Sequence, residues 1–213
     1  MEKVDIKNIV SPGALIRTKF DKTEWISNVV NTVSGSCIQV DLSQNYVNKL
    51  VMVGDAVKCK VSTPQTEYVL DGIVDNITIE DSNILSIKIE NISKFDNTRR
   101  NDRYDAYIIS KITVNRDPAV FSVVTSLSTS GISVVSKSEL LNNSDAFVEV
   151  FVDSGNTIRF YGNIVRKTFT ENGYEYGIKF KQLDQQNDNM IHSILENLKS
   201  KEDNLLKKFV NQK

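Results

Sequence analysis

Arg99-Arg100-Asn101-Asp102-Arg103 and, a short way downstream, Ser128-Thr129-Ser130-Gly131 are the segments of this 213-residue chain whose residue types could hold a ligand. A guanidinium is a planar fork of donors that pairs bidentately with phosphate oxygens and also stacks on flat rings. Arg99 and Arg103, four apart with Arg100 as a further cation, suit a ligand that offers both features, as a nucleotide does. The second segment is made of small residues. Together they read as an anion clamp beside a small-residue shelf.

Catalysis has little to work with elsewhere. Cys37 and Cys59 sit in strand-like apolar runs without CxxC spacing, so they read as reduced, buried cysteines rather than as a metal or redox site. The single histidine, His192, falls in a helical pattern among Met190, Ile191, Ile194 and Leu195 and reads as a surface or rim residue. No paired-carboxylate motif stands out for general acid–base work. The expectation is a protein that is not an enzyme and uses no cofactor.

The net charge is −1, with 26 basic and 27 acidic residues, so the molecule as a whole presents no field that would attract nucleic acid or a membrane surface. Any anion site must be local. Hydrophobic and charged fractions of 40% and 25% are those of an ordinary globular protein. The N-terminus carries no signal-like apolar region, and no run approaches the roughly 18 apolar residues that span a bilayer. A cytoplasmic protein without a membrane span is expected.

The elements that must position the two segments are mostly strands. Leu15–Phe20, Trp25–Asn31, Cys37–Leu42, Val57–Val61, Glu67–Ile79 and Ile84–Glu90 are rich in β-branched and aromatic residues and follow one another at short intervals, as in a small barrel or sandwich. Ser34-Gly35 and Asp81-Ser82-Asn83 supply turn chemistry, and Gly72 suggests a bulge or a bend at a barrel corner. From Ser93 to Arg103 apolar residues thin out to Phe95, and the stretch reads as a linker.

A second set of strands follows. Tyr104, Ala106, Ile108, Ile112 and Val114 share one parity, with Ser110 the polar exception. Ala146, Val148, Val150 and Val152, then Ile158, Phe160 and Ile164, then Tyr174, Tyr176, Ile178 and Phe180, repeat the alternation. Asp153-Ser154-Gly155-Asn156 and Glu171-Asn172-Gly173 mark hairpins between them. Past Leu183 the spacing changes to that of an amphipathic helix through Ile191, Ile194, Leu195, Leu198, Leu205 and Phe209, capped by Asp184 or Asn187. Such a helix either packs on the barrel or offers its stripe to a partner or a second copy.

The second half resembles the PilZ domain, a bacterial receptor module for cyclic dimeric GMP. Arg99 to Arg103 fits that family's RxxxR, Ser126 to Gly131 occupies its [DN]xSxxG, and Gly162-Asn163-Ile164-Val165-Arg166 followed by Tyr176-Gly177-Ile178-Lys179-Phe180 looks like its later strands. By arrangement, the first half is similar to the N-terminal domain of flagellar-brake proteins. The resemblance implies a mostly β protein of two small barrels with a C-terminal α-helix: an N-terminal flagellar-brake-like domain over 1–92, a linker over 93–103, a PilZ barrel over 104–184 and the helix over 185–213.

It also implies a mechanism. Arg99, Arg100, Arg103, Ser126, Ser128 and Gly131 would bind cyclic di-GMP, the two domains would reorient, and the result would pass to a protein partner in the flagellar motor or the polysaccharide machinery. A homodimer through the helix is a further expectation. Ser126 departs from the family's Asp or Asn, so a base-edge N–H of guanine loses its direct acceptor. Ser126→Asp is accordingly expected to tighten binding. A degenerate domain acting as a ligand-independent interaction module is the alternative.

Overall fold

The computed structural model describes residues 6–21, 24–79, 83–98, 101–115, 117–170 and 173–211. Asp81, Ser82, Glu171 and Asn172 of the expected turns, and Arg99 and Arg100 of the expected clamp, lie outside the described residues.

The first unit comprises residues 1–98 together with 201–213. Its strands β1 (Leu15–Lys19), β2 (Ile26–Ser34), β3 (Cys37–Asp41), β4 (Ala56–Ser62), β5 (Thr66–Thr78) and β6 (Ile84–Asp96) close into a barrel in the ring order β1-β2-β3-β6-β5-β4. Every neighbouring pair is antiparallel. Closure leaves no open edge for another chain to extend. Alternate residues point inward, among them Ile16, Ile38, Val40, Leu70, Leu85 and Ile87, all fully buried.

The second unit, residues 99–200, repeats the same plan. Strands β7 (Tyr104–Val114), β8 (Val120–Ser128), β9 (Gly131–Ser136), β10 (Asp145–Phe151), β11 (Thr157–Thr170) and β12 (Gly173–Gln182) close in the ring order β7-β8-β9-β12-β11-β10. Counted from the first strand of each barrel, the two connectivities are identical. The second core gathers Ile112, Val134, Val148, Phe160, Ile164 and Ile178. Ser110, the polar exception on β7, is buried opposite Ser122 of β8, and their hydroxyls share a 2.7 Å hydrogen bond. Each thereby satisfies the other in a place where an unpaired hydroxyl would be costly.

Two features differ from the sequence reading. β6 continues through Lys94 and Phe95 to Asp96, because Thr66 and Glu67 of β5 pair with Asp96 and Phe95. The start of the expected linker is therefore strand. This arm is solvent-facing, so it needs backbone partners but no apolar alternation, and composition alone conceals it. The short helix α1 (Gln44–Asn48) was not expected; its buried Tyr46 plugs the first barrel, edge-on to Phe20. The Tyr46 hydroxyl meets Thr18 Oγ1 at 3.0 Å and accepts from Asn28 Nδ2 at 3.3 Å.

At Gly72 the β5–β6 register shifts, as a bulge requires, and a Cβ there would lie 2.2 Å from the Lys88 carbonyl oxygen. The C-terminal helix α2 spans Gln185–Asn211. Asp184 caps it, accepting from the Asn187 backbone N–H at 2.8 Å, and that bond holds its carboxyl below the usual carboxylate range. Ile191 and Leu195 bury themselves in the second core. Within the first unit, Arg17 donates to Glu202 at 2.7 Å and the Phe209 ring lies over Gly13. Much of the apolar stripe is thus used within the chain.

Burial makes the first barrel sensitive to alkali. It pushes the Cys59 thiol from an ordinary 9.0 up to about 12 and the Tyr46 phenol from 10.0 to about 12. Both folded values are raised, so the stabilisation is complete below the unfolded values and disappears as pH climbs through the folded ones. Denaturant titrations are expected to give constant stability up to about pH 9, then a decline of a few kcal/mol by about pH 12. A stability flat across that window would contradict the burial of both groups.

Candidate functional site

Among the described candidate residues, Arg103, Ser126, Ser128 and Gly131 gather at one end of the β7–β8–β9 sheet. The β8–β9 hairpin is closed by Ser128 pairing with Gly131 across a two-residue turn, Thr129-Ser130. The same register sets Ser126 opposite Ser133, while on the other side Ser126 faces Asp105 of β7. Directly paired residues point to the same face, so Asp105, Ser126 and Ser133 form one row across three strands. Arg103, just before β7, reaches this row: its Nη1 donates to Ser133 Oγ at 2.8 Å. Arg103 is half-buried, which holds its guanidinium against the sheet.

Sequence reading had no reason to single out Ser133 or Asp105. The signal for Ser133 was nevertheless present, since a two-residue hairpin closed at Ser128 and Gly131 fixes Ser133 as the cross-strand neighbour of Ser126. Asp105 needed the β7–β8 register, which a bulge between Asp105 and Ile108 obscures.

An open cleft of about 350 Å³ lies between the start of β7, the β8–β9 turn and α2. One wall is Asn101, Asp102 and Tyr104 of the arginine-bearing segment together with Thr129 of the hairpin turn. The other wall is α2, through His192, Leu195, Glu196 and Lys199. His192 is exposed at the rim, where its ring Nδ1 lies 2.9 Å from the Asp188 carbonyl oxygen. Among the described residues no cluster of His, Cys, Asp or Glu has the makings of a metal site.

A family model described as the PilZ domain matches residues 97–197. That stretch is a PilZ domain. The matched residues run from before the arginine segment, through the second barrel, into α2. No curated protein matches the chain. Among solved structures, YcgR in complex with c-di-GMP from Escherichia coli is similar at 10% identity and a TM-score of 0.48, covering 92% of this chain and 88% of that one. The Bacillus subtilis inhibitor of motility (MotI/DgrA) follows at 8% identity and 0.43, covering 89% and 99%. A K. pneumonia MrkH–c-di-GMP complex gives 11% identity and 0.42, covering 88% of each chain.

Within the PilZ barrel, Ser128 and Gly131 have structural duties. Ser128 is buried and its hydroxyl donates to the Gly131 carbonyl at 3.0 Å, bracing the turn. A Cβ on Gly131 would meet the Ile178 carbonyl oxygen of β12 at 2.3 Å. From the opposite side of β12, a Cβ on Gly162 would meet Ile178 Cγ2 at 2.6 Å and the Lys179 carbonyl oxygen at 2.8 Å. The two glycines let β9 and β11 close on β12 at the same place. The close approach at Gly131 is therefore one of strand to strand.

Asp105 changes what is expected at Ser126. An aspartate there would stand directly across from the Asp105 carboxylate, and like charges so placed destabilise a sheet by roughly 0.2–1 kcal/mol. Ser126→Asp is expected to lower the thermal midpoint at low ionic strength and to recover in part when salt screens the pair. A midpoint unchanged at low salt would mean that the two side chains diverge.

Proposed function

We propose that the chain is a non-catalytic receptor for cyclic dimeric GMP. The observation that carries this reading is Arg103 bonded to Ser133, the cross-strand neighbour of Ser126, inside the matched PilZ domain. A guanidinium already held at the sheet can turn to a phosphate without ordering a free side chain, so less entropy is lost on binding. Arg99 and Arg100, outside the described residues, are assigned to the same ligand as further phosphate and ring contacts. Ser126, Ser128 and Gly131 form the shelf, with Ser126 the member that touches the ligand and the other two maintaining the turn.

Binding on the segment that joins the two units changes their relation, and the chain passes that change to a protein partner in motility, attachment or polysaccharide output. Calorimetric titration of the full chain with cyclic di-GMP is expected to give saturable heat in the micromolar range or tighter, and scattering profiles with and without ligand are expected to differ. No heat and no thermal shift at high micromolar ligand would sink the receptor reading. A ligand-independent interaction module would then remain, a reading supported by Ser126 in place of Asp or Asn and by the Ser128 hydroxyl already engaged in its turn.

A further inference from the structure

α2 forms one wall of the cleft. Burial of Ile191 and Leu195 in the second core fixes how the helix is rotated. His192, Glu196 and Lys199, spaced four and three apart, then fall on one stripe of it and face Asn101, Asp102, Tyr104 and Thr129 across the cleft. Glu196 is exposed there and has neither an ion pair nor a hydrogen bond among the described residues. The cleft thus holds two exposed carboxylates, Glu196 on the helix wall and Asp102 opposite, with one cation, Lys199, and a tyrosine ring around a space that can admit a base.

Guanine presents two neighbouring donors, N1–H and the N2 amino group, along its Watson–Crick edge. A carboxylate accepts both at once, one on each oxygen, in the fork geometry that makes bidentate pairs strong. Adenine presents a ring-nitrogen acceptor at the corresponding position, so the same carboxylate would confront a lone pair. Asp105 is unsuited to the task because its Oδ2 is buried.

We propose that Glu196 on α2 is the specificity-determining residue of the site, reading the guanine edge from the helix wall of the cleft, across from Asn101 and Asp102 of the arginine-bearing segment. Lys199, one turn further along, offsets the negative charge that the carboxylate brings toward an anionic ligand. This rests on the cyclic dinucleotide reading above and adds to it the choice of base.

The test is calorimetric titration of the full chain and of Glu196→Gln with cyclic di-GMP and, separately, cyclic di-AMP. Wild type is expected to prefer the guanine compound. Glu196→Gln replaces one acceptor by a donor and is expected to lose roughly 5- to 150-fold of that preference, with an unchanged thermal midpoint because the side chain is exposed. If Glu196→Gln keeps the wild-type ratio of affinities, the assignment is wrong while the receptor reading stands. If Asp102→Asn abolishes the preference and Glu196→Gln does not, the base is read from the opposite wall. Wild type that binds neither compound overturns the receptor reading and this inference with it.

Discussion

Replacing Arg103 by alanine is expected to weaken cyclic di-GMP binding by roughly 2–5 kcal/mol, about 30-fold to several thousandfold, enough to abolish a micromolar interaction in practice. In the free protein the guanidinium is half-buried and donates to Ser133 Oγ, so it is positioned before any ligand arrives. Alanine removes a charge partner from a phosphate that has already been desolvated, and that exposed imbalance accounts for most of the loss. Arg103→Lys is expected to recover only part, since an ammonium keeps the charge but not the fork. Ser133→Ala serves as a comparison: it removes one neutral-acceptor hydrogen bond and is expected to change affinity by no more than about 1 kcal/mol. Calorimetry on the three variants reads the outcome directly, and an unchanged constant in Arg103→Ala would take this residue out of the site.

The second large effect is expected at Gly131. With the Ile178 carbonyl oxygen 2.3 Å from where a Cβ would sit, Gly131→Ala forces β9 away from β12 and breaks the seam that Gly162 shares from the other side. Overpacking of this kind costs roughly 1–3 kcal/mol or more. A domain of about 100 residues loses about 4–8 °C of thermal midpoint per kcal/mol. Gly162→Ala is expected to behave alike. Binding should fail in Gly131→Ala together with the melting temperature, because the hairpin carrying Ser126 and Ser133 is displaced. A variant that melts like wild type yet binds poorly would show that the glycine makes room for ligand rather than for a strand.

Much of the architecture could be read from the chain because barrels of this size are written in alternation. The inward sets Ala146, Val148 and Val150, and Ile158, Phe160 and Ile164, stand out against polar neighbours, and both sets are buried. Where a strand faces water on both sides the signal vanishes, and the extension of β6 through Lys94 to Asp96 became visible only through its pairing with β5. Helix α1 was hidden for a different reason: five residues are too few to display a period, and what holds it is the tertiary burial of Tyr46. The same distinction applies at the site. Arg103 announces itself by type and spacing and Ser126 by its place in the family motif, whereas Asp105 and Ser133 join them only through the register of neighbouring strands.

Local chemistry, then, was enough to determine that this is a β-rich chain with an arginine-bearing segment and a Ser-x-x-Gly hairpin, because residue type and short-range periodicity are properties of contiguous sequence. Which side chains meet was decided by barrel closure. Strand pairing sets Asp105, Ser126 and Ser133 in one row, and the buried face of α2 turns Glu196 toward the cleft. Those are distances between residues up to about a hundred positions apart, fixed by packing and backbone hydrogen bonding that no local window contains.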